Sequence, residues 1–351
     1  MPTSTSQLTS PRVPLSAWAP EPFVPRGGLR GAHRQTLAGA LLPRRFVLPP
    51  PEERLFQVER DVRVLCHCHW QPDRLAALTV VLIHGFEGSS RSRYVLGTAS
   101  KAWAAGMNVV RMNIRNCGGT ECLGPTLYHS GLSADVGAVA AELIERDCLP
   151  RLAIVGFSMG GNQVLKLAGE LGSQAPAELL AVAAVSPGMD LIASSHALHQ
   201  PRNRIYEWNF LWCLRRTMRR KSRAFPPVCA ASARRWYGSV RQFDDCVTAP
   251  HFGFASADDY YTRASASPLL PRIAIPALVI HSTDDPFIIM TAETRARILA
   301  NPNIKFLETS SGGHCGFVAS ASLVRSGVAS DLAPYDGYWA ERQVIEFLRR
   351  C

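Results

Sequence analysis

Leu152-Ala153-Ile154-Val155-Gly156-Phe157-Ser158-Met159-Gly160-Gly161-Asn162 is an apolar run that passes straight into Gly-x-Ser-x-Gly and then into a helical pattern. The run up to Phe157 reads as a buried strand, and Met159 to Leu171 reads as the helix that leaves it. A serine at such a junction sits in a strained turn with its hydroxyl pushed out to where it can be attacked. Gly156 and Gly160 are small because neighbouring backbone must pass close to that turn. A strand, a sharp turn and a helix in this order form a nucleophile elbow, and they belong on a parallel sheet flanked by helices.

Outward from the elbow, short β-rich runs alternate with helical stretches from residue 55 onward. The fold class expected is α/β, a mainly parallel central sheet with helices on both faces. Leu55 to Val58 and Val62 to Trp70 are expected to pair antiparallel at one edge. A buried strand at Leu78 to Ile83, a helix at Ser92 to Ala105 and a strand at Met107 to Ile114 follow. Leu132 to Asp147 has helical periodicity, and Leu179 to Val185 reads as another buried strand. Residues 274–281 and 304–308 complete the sheet, and Tyr338 to Arg350 closes the chain as an amphipathic helix.

Between Pro187 and Pro271 the alternation stops. This stretch, rich in Arg, Trp, Phe and Tyr, reads as a cap inserted over the sheet. The expected organisation is a flexible lead-in at 1–30, a core made of 31–190 and 272–351, and a cap at 191–271. Within the cap, Ile205, Trp208, Leu211, Trp212 and Met218 fall near helical spacing. Arg215 and Arg219, and likewise Arg216 and Arg220, repeat positive charge four residues apart, which is unfavourable unless something anionic lies against them. A cap helix packed on the core with its cations in water is one reading. An acidic partner or an anionic lipid surface is the other.

A chain of 351 residues with 47% hydrophobic and 19% charged residues can bury a sizeable globular core. Its net charge of +10 is moderate and matches a solvated surface, so no nucleic-acid partner is expected. Ten cysteines at irregular spacings, with no secretory segment, fit reduced thiols in a cytoplasmic location better than a disulfide framework. No apolar run approaches the ~20 residues that span a bilayer. No transmembrane segment is therefore expected, and membrane contact would have to be peripheral.

A serine hydroxyl is a poor nucleophile near neutral pH. It needs a base to take its proton, a carboxylate to orient that base, and donors for the oxyanion that develops. Downstream of Ser158, Ala277-Leu278-Val279-Ile280-His281 runs into Ser282-Thr283-Asp284-Asp285-Pro286, and the next strand runs into Ser311-Gly312-Gly313-His314-Cys315-Gly316-Phe317. Nucleophile, acid and base thus follow the order Ser, Asp, His, with the last two on loops at the carboxyl ends of consecutive strands. Ser158 is the expected nucleophile, Asp285 the orienting acid and His314 the base. Asp284 competes with Asp285, which is favoured because Pro286 turns the chain directly after it. The expected oxyanion donors are the backbone N–H groups of Met159 and of Phe86, the latter in Leu82-Ile83-His84-Gly85-Phe86-Glu87-Gly88. His84 is read as a buttress of that loop.

Cys66-His67-Cys68-His69 has the composition of a metal cluster. A strand's period of two sends the cysteines to one face and the histidines to the other, so no metal site is expected there. No Gly-x-Gly-x-x-Gly follows a strand and no Walker-type lysine motif occurs, so no cofactor is expected.

His33-Arg34-Gln35-Thr36, His84-Gly85-Phe86-Glu87-Gly88, Gly156-Phe157-Ser158-Met159-Gly160-Gly161-Asn162, Asp259-Tyr260-Tyr261, Asp284-Asp285-Pro286-Phe287 and Gly312-Gly313-His314-Cys315-Gly316-Phe317 together resemble the YheT-type α/β-hydrolases. That family is related to eukaryotic lipid esterases and yeast medium-chain ethyl ester synthases. The resemblance runs from near Arg30 to the C-terminus, and its more specific marks are His-x-Gln-Thr and Asp-Tyr-Tyr. Ser282 stands where the family usually has a glycine three residues before its acid, which supports Asp285. Relatives often carry Arg-Gly-Cys after the second central strand, where this chain has Arg115-Asn116-Cys117-Gly118-Gly119. The resemblance implies an α/β-hydrolase fold and an esterase-like enzyme, acting in some relatives on lipids or by acyl transfer to an alcohol.

The function expected is a serine hydrolase cleaving carboxylic esters, of short to medium acyl chains or of lipids, through an acyl-enzyme. Its partner is then a small-molecule ester. Acyl transfer to an alcohol uses the same parts. A non-catalytic binding module on the same fold is the reading from another class, and a scaffold has no physical need for serine, aspartate and histidine on aligned loops.

Overall fold

The computed structural model describes residues 18–226, 232, 234–320 and 336–351. Strands β1 (Glu52–Glu59), β2 (Val62–His69), β3 (Thr79–Ile83), β4 (Asn108–Met112), β5 (Leu152–Phe157), β6 (Leu179–Val185), β7 (Ala277–Ser282) and β8 (Ile304–Thr309) make one eight-stranded sheet among these residues. Its order is β1-β2-β4-β3-β5-β6-β7-β8. β1 with β2 and β2 with β4 are antiparallel, and every other pairing is parallel. The edge hairpin and the parallel body are those expected from the pattern. β7 starts at Ala277 rather than at 274, because Pro276 has no N–H to give a ladder.

Among the described residues, the α-helices of eight residues or more are α1 (Ala32–Leu41), α2 (Arg93–Ala104), α3 (Ser133–Glu145), α4 (Met159–Leu171), α5 (Leu191–Leu198), α6 (Arg204–Ala224), α7 (Ala257–Ala264), α8 (Ala292–Ala300) and α9 (Trp339–Leu348). Alternation along the strands divides the core into two layers. Val80 and Leu82 of β3, Val155 of β5 and Ile280 of β7 point towards α2 and α9. Val81 and Ile83, Ile154 and Val279 point towards α3, α4 and α8. α1 and α8 carry no apolar stripe that would announce them, since their buried residues are Gln35 with Ala38 and Thr294 with Ile298.

The same alternation separates the Cys-His run. Cys66 and Cys68 enter the core layer shared with α3. On the opposite face, His67 Nδ1 meets Ser90 Oγ at 3.0 Å, and His69 Nε2 accepts from the Arg111 guanidinium.

The flexible lead-in expected at 1–30 needs correction over its second half, while residues 1–17 lie outside the described residues. Trp18 is buried against Phe347 of α9, and Phe23 packs on Phe317 and Trp339. Pro25 bridges to Ala319. Apolar rings at Trp18 and Phe23 anchor residues 18–30, whose prolines and glycines show no helix or strand period.

Helices α5, α6 and α7 lie between β6 and β7, beside the carboxyl ends of the central strands. Among the described residues, no helix is long and apolar enough to cross a membrane.

Candidate active site

β5 delivers Ser158 into a turn with φ 54° and ψ −118°, a left-handed backbone that only a tightly enforced turn imposes on a serine. The turn is closed by contact. A Cβ on Gly156 would lie 2.2 Å from the Gly160 carbonyl oxygen, and one on Gly160 would lie 2.4 Å from that of His84. The Ser158 N–H donates to Val185 O at 2.9 Å, tying the elbow to β6.

Two further loops meet this serine from the ends of β7 and β8. His314 Nε2 is 2.9 Å from Ser158 Oγ, and its Nδ1 is 2.8 Å from Asp285 Oδ2. The other carboxylate oxygen, Asp285 Oδ1, accepts from the N–H groups of Phe287 and Ile288 at 3.2 and 2.9 Å. Asp284 faces elsewhere. It accepts from the Ser282 hydroxyl and from the Gly313 N–H at 2.8 Å, bracing the loop that carries His314. The two neighbouring acids therefore divide the work, and only Asp285 touches the imidazole.

The charge balance around His314 follows from that contact. Burial disfavours its protonated form, but the Asp285 carboxylate, followed by the neighbouring Cys315 sulfur, outweighs burial and holds its pKa above the ordinary histidine value. His84 shows the opposite case. Buried beneath the loop that follows β3, it is pushed down to about 4 and stays neutral. Its Nε2 accepts from the Ile114 N–H at 3.0 Å, so its Nδ1–H donates to Gly85 O at 2.7 Å. The Gly85 N–H donates to Tyr94 Oη at 2.9 Å. These bonds fix the loop and leave Phe86 at its tip.

Among the described residues, nothing accepts a hydrogen bond from the N–H of Phe86 or of Met159. Met159 is the first residue of α4, where an amide has no partner within the helix and the dipole favours negative charge. Phe86 and Met159 both line a cavity of about 100 Å³ that begins at Ser158. Leu191 and Leu198 of α5, Phe210 of α6, Tyr261 of α7, Phe287 and Ile288 line it, and the surface is largely apolar. On the other side of Ser158 a cleft of about 510 Å³ opens between α1 and α6, with His314 in its wall.

Several positions in this site carry no chemistry legible in the sequence. Thr36, within the His-x-Gln-Thr segment, accepts from the His314 N–H through Oγ1 at 2.9 Å. Gln35 beside it is fully buried and bonds both N–H and C=O of Val318, at 2.7 and 3.1 Å. Asp244 sits in the wall of the small cavity at the start of a π-helical turn, Asp244–Thr248. Burial raises its pKa to about 6, and the hydroxyls of Tyr261 and Thr248 each donate to it at 2.7 Å. The Asp-Tyr-Tyr segment thus finishes the cavity: Tyr260 Oη accepts from the Ser130 N–H and Tyr261 holds Asp244. Asp135 is paired with the buried Arg115, away from the serine.

The fold and site together define a class. Residues 79–320 match the alpha/beta hydrolase fold family, and the chain belongs to it. Its sequence is 33% identical over 307 residues to the putative esterase YheT of Escherichia coli (strain K12), covering 86% of this chain and 88% of that protein. It is 31% identical over 241 residues to phospholipase ABHD3 of Homo sapiens, covering 68% of this chain but 58% of that longer protein. Among solved structures, the Pyrococcus furiosus esterase Pf2001 superposes with a TM-score of 0.55 at 15% identity, over 95% of this chain and 99% of that one. This last likeness is one of fold.

Proposed function

We propose that this protein hydrolyses carboxylic esters through an acyl-enzyme on Ser158. The observation that carries the reading is the unbroken line from Ser158 Oγ through both nitrogens of His314 to Asp285 Oδ2. As Ser158 Oγ bonds to the ester carbonyl carbon, His314 Nε2 takes the hydroxyl proton, and Asp285 steadies the imidazolium that results. The carbonyl electrons move to oxygen, where the Phe86 and Met159 N–H groups receive them. Collapse breaks the bond to the alcohol, which leaves with the proton from His314. Water then attacks the acyl group by the same route, releasing the acid and restoring Ser158.

The surroundings support a division of the substrate. The small apolar cavity suits the acyl chain, and the larger cleft between α1 and α6 suits the alcohol portion. In this reading residues 191–271 act as a cap over a core of 31–190 and 272–351. The names of the relatives, an esterase and a phospholipase, support ester substrates as the class.

Labelling with a fluorophosphonate tests the proposal, because such a probe phosphonylates only an activated serine. Wild type takes the label, Ser158→Ala takes none and His314→Ala is labelled far more slowly. A correctly folded wild type that takes no label would overturn it.

A further inference from the structure

We propose that the outer ridge of α6 docks this molecule on an anionic lipid surface, with the mouth of the ester cleft held against that surface. Ile205, Trp208 and Trp212 lie three and four residues apart on α6 and are 64%, 61% and 61% exposed. Leu37 and Leu41 of α1 are also exposed, and with Ile205 they form the rim of the cleft that leads down to Ser158 and His314. Leu37, Leu41 and Ile205 thus rim the entrance, and Trp208 and Trp212 continue from it along α6. A contiguous patch of this kind marks a surface that meets something apolar.

The same ridge turns basic towards the C-terminal half of α6. Among the described residues, none of Arg215, Arg216 and Arg219 is paired with a carboxylate. Arg216 lies over the Trp212 ring at 5.6 Å, and Arg215 lies over Trp236, which is 74% exposed, at 4.7 Å. Beside Trp212, a hollow of about 510 Å³ is walled by Arg91, Arg216 and Arg220. Its two carboxylates are already engaged, Glu121 by Arg220 and Glu87 by the hydroxyls of Tyr128 and Thr217.

Trp, with an apolar body and a polar N–H, and Arg, with a long stem beneath its charge, are suited to the boundary between lipid chains and headgroups. An anionic headgroup layer supplies the counter-charge that Arg215, Arg216 and Arg219 lack. The lipid surface is the occupant that also explains the position of the patch, since esters held in it would lie directly at the cleft. The importance of that position rests on the ester reading of Ser158; the docking itself does not.

Vesicle co-sedimentation of the full chain tests the docking without turnover. The protein is expected to sediment with vesicles of phosphatidylcholine and phosphatidylserine but not with phosphatidylcholine alone. The double variants Trp208→Ala/Trp212→Ala and Arg216→Glu/Arg219→Glu should each weaken that binding about tenfold or more. Both should cleave a soluble p-nitrophenyl ester as wild type does, which also shows that they fold. Absence of binding, equal binding to neutral vesicles, or binding undiminished by the charge reversal would overturn the proposal. So would a wild-type dimer in sedimentation velocity that dissolves in the tryptophan variant while wild type ignores vesicles. A protein that binds vesicles but cleaves no ester would sink the ester reading and leave the docking standing.

Discussion

His314 faces a carboxylate through one ring nitrogen and a hydroxyl through the other, and that asymmetry sets how the site responds to pH. With Nδ1–H directed at Asp285, Nε2 is free to accept the serine proton only while the ring is neutral. The Asp285 charge, prevailing over burial, raises the pKa above the 6.5 of an ordinary histidine, so the protonated and inactive form persists to higher pH. Activity must therefore rise with pH, and the ascending limb of kcat/KM on a soluble ester is expected above pH 6.5. A limb below that value would show that Asp285 does not dominate the ring. The sequence favoured Asp285 over Asp284 from the turn pattern alone, because both sit in one turn and spacing does not say where each side chain points. Their separation comes from backbone donors: Gly313 takes one acid and Phe287 and Ile288 orient the other.

At the scale of elements, the elbow between β5 and α4 is fixed by close backbone contact, whereas the cavity proposed for the acyl chain is walled by α5, α6 and α7. The cavity is small, about 100 Å³, and its far side is finished by Asp244 and Tyr261. Rates on p-nitrophenyl esters should accordingly be highest for short to medium acyl chains and fall as the chain outgrows the cavity. A rate that climbs to the longest chain would mean that these helices move aside. The strands and the elbow were legible because a strand buried on both faces is a continuous apolar run and its turn residues are distinctive. Of the inserted helices, α6 was legible from the spacing of its apolar residues, and α5 and α7 only as an interruption. They pack on one another in small clusters, Leu214 and Met218 with Phe243, and Tyr260 with Tyr261, which impose no long period on the sequence. α1 was silent for a related reason: Gln35 and Thr36 serve hydrogen bonds to the loop after β8, and that loop lies far along the chain.

Across the whole molecule, the two ends of the chain are joined beneath the sheet. Trp18 packs on Phe347, and Arg44 pairs with Glu341 and Asp336 while lying over the Tyr338 ring at 3.3 Å. Lys101 of α2 completes that ion cluster. Removing the buried indole with Trp18→Ala should cost about 3–5 kcal/mol of stability, read by denaturant unfolding. A change below about 1 kcal/mol would mean that residues near Trp18 contribute little to the fold. The tie between Gln35 and Val318 spans 283 positions, and Thr36 holds the histidine's own backbone. A ribosome adding ~10 residues per second needs about half a minute to make that stretch. For 156 of those positions, between Ser158 and His314, the emerging polypeptide carries the proposed nucleophile without the proposed base, so it is expected to cut nothing before residue 314 has been added.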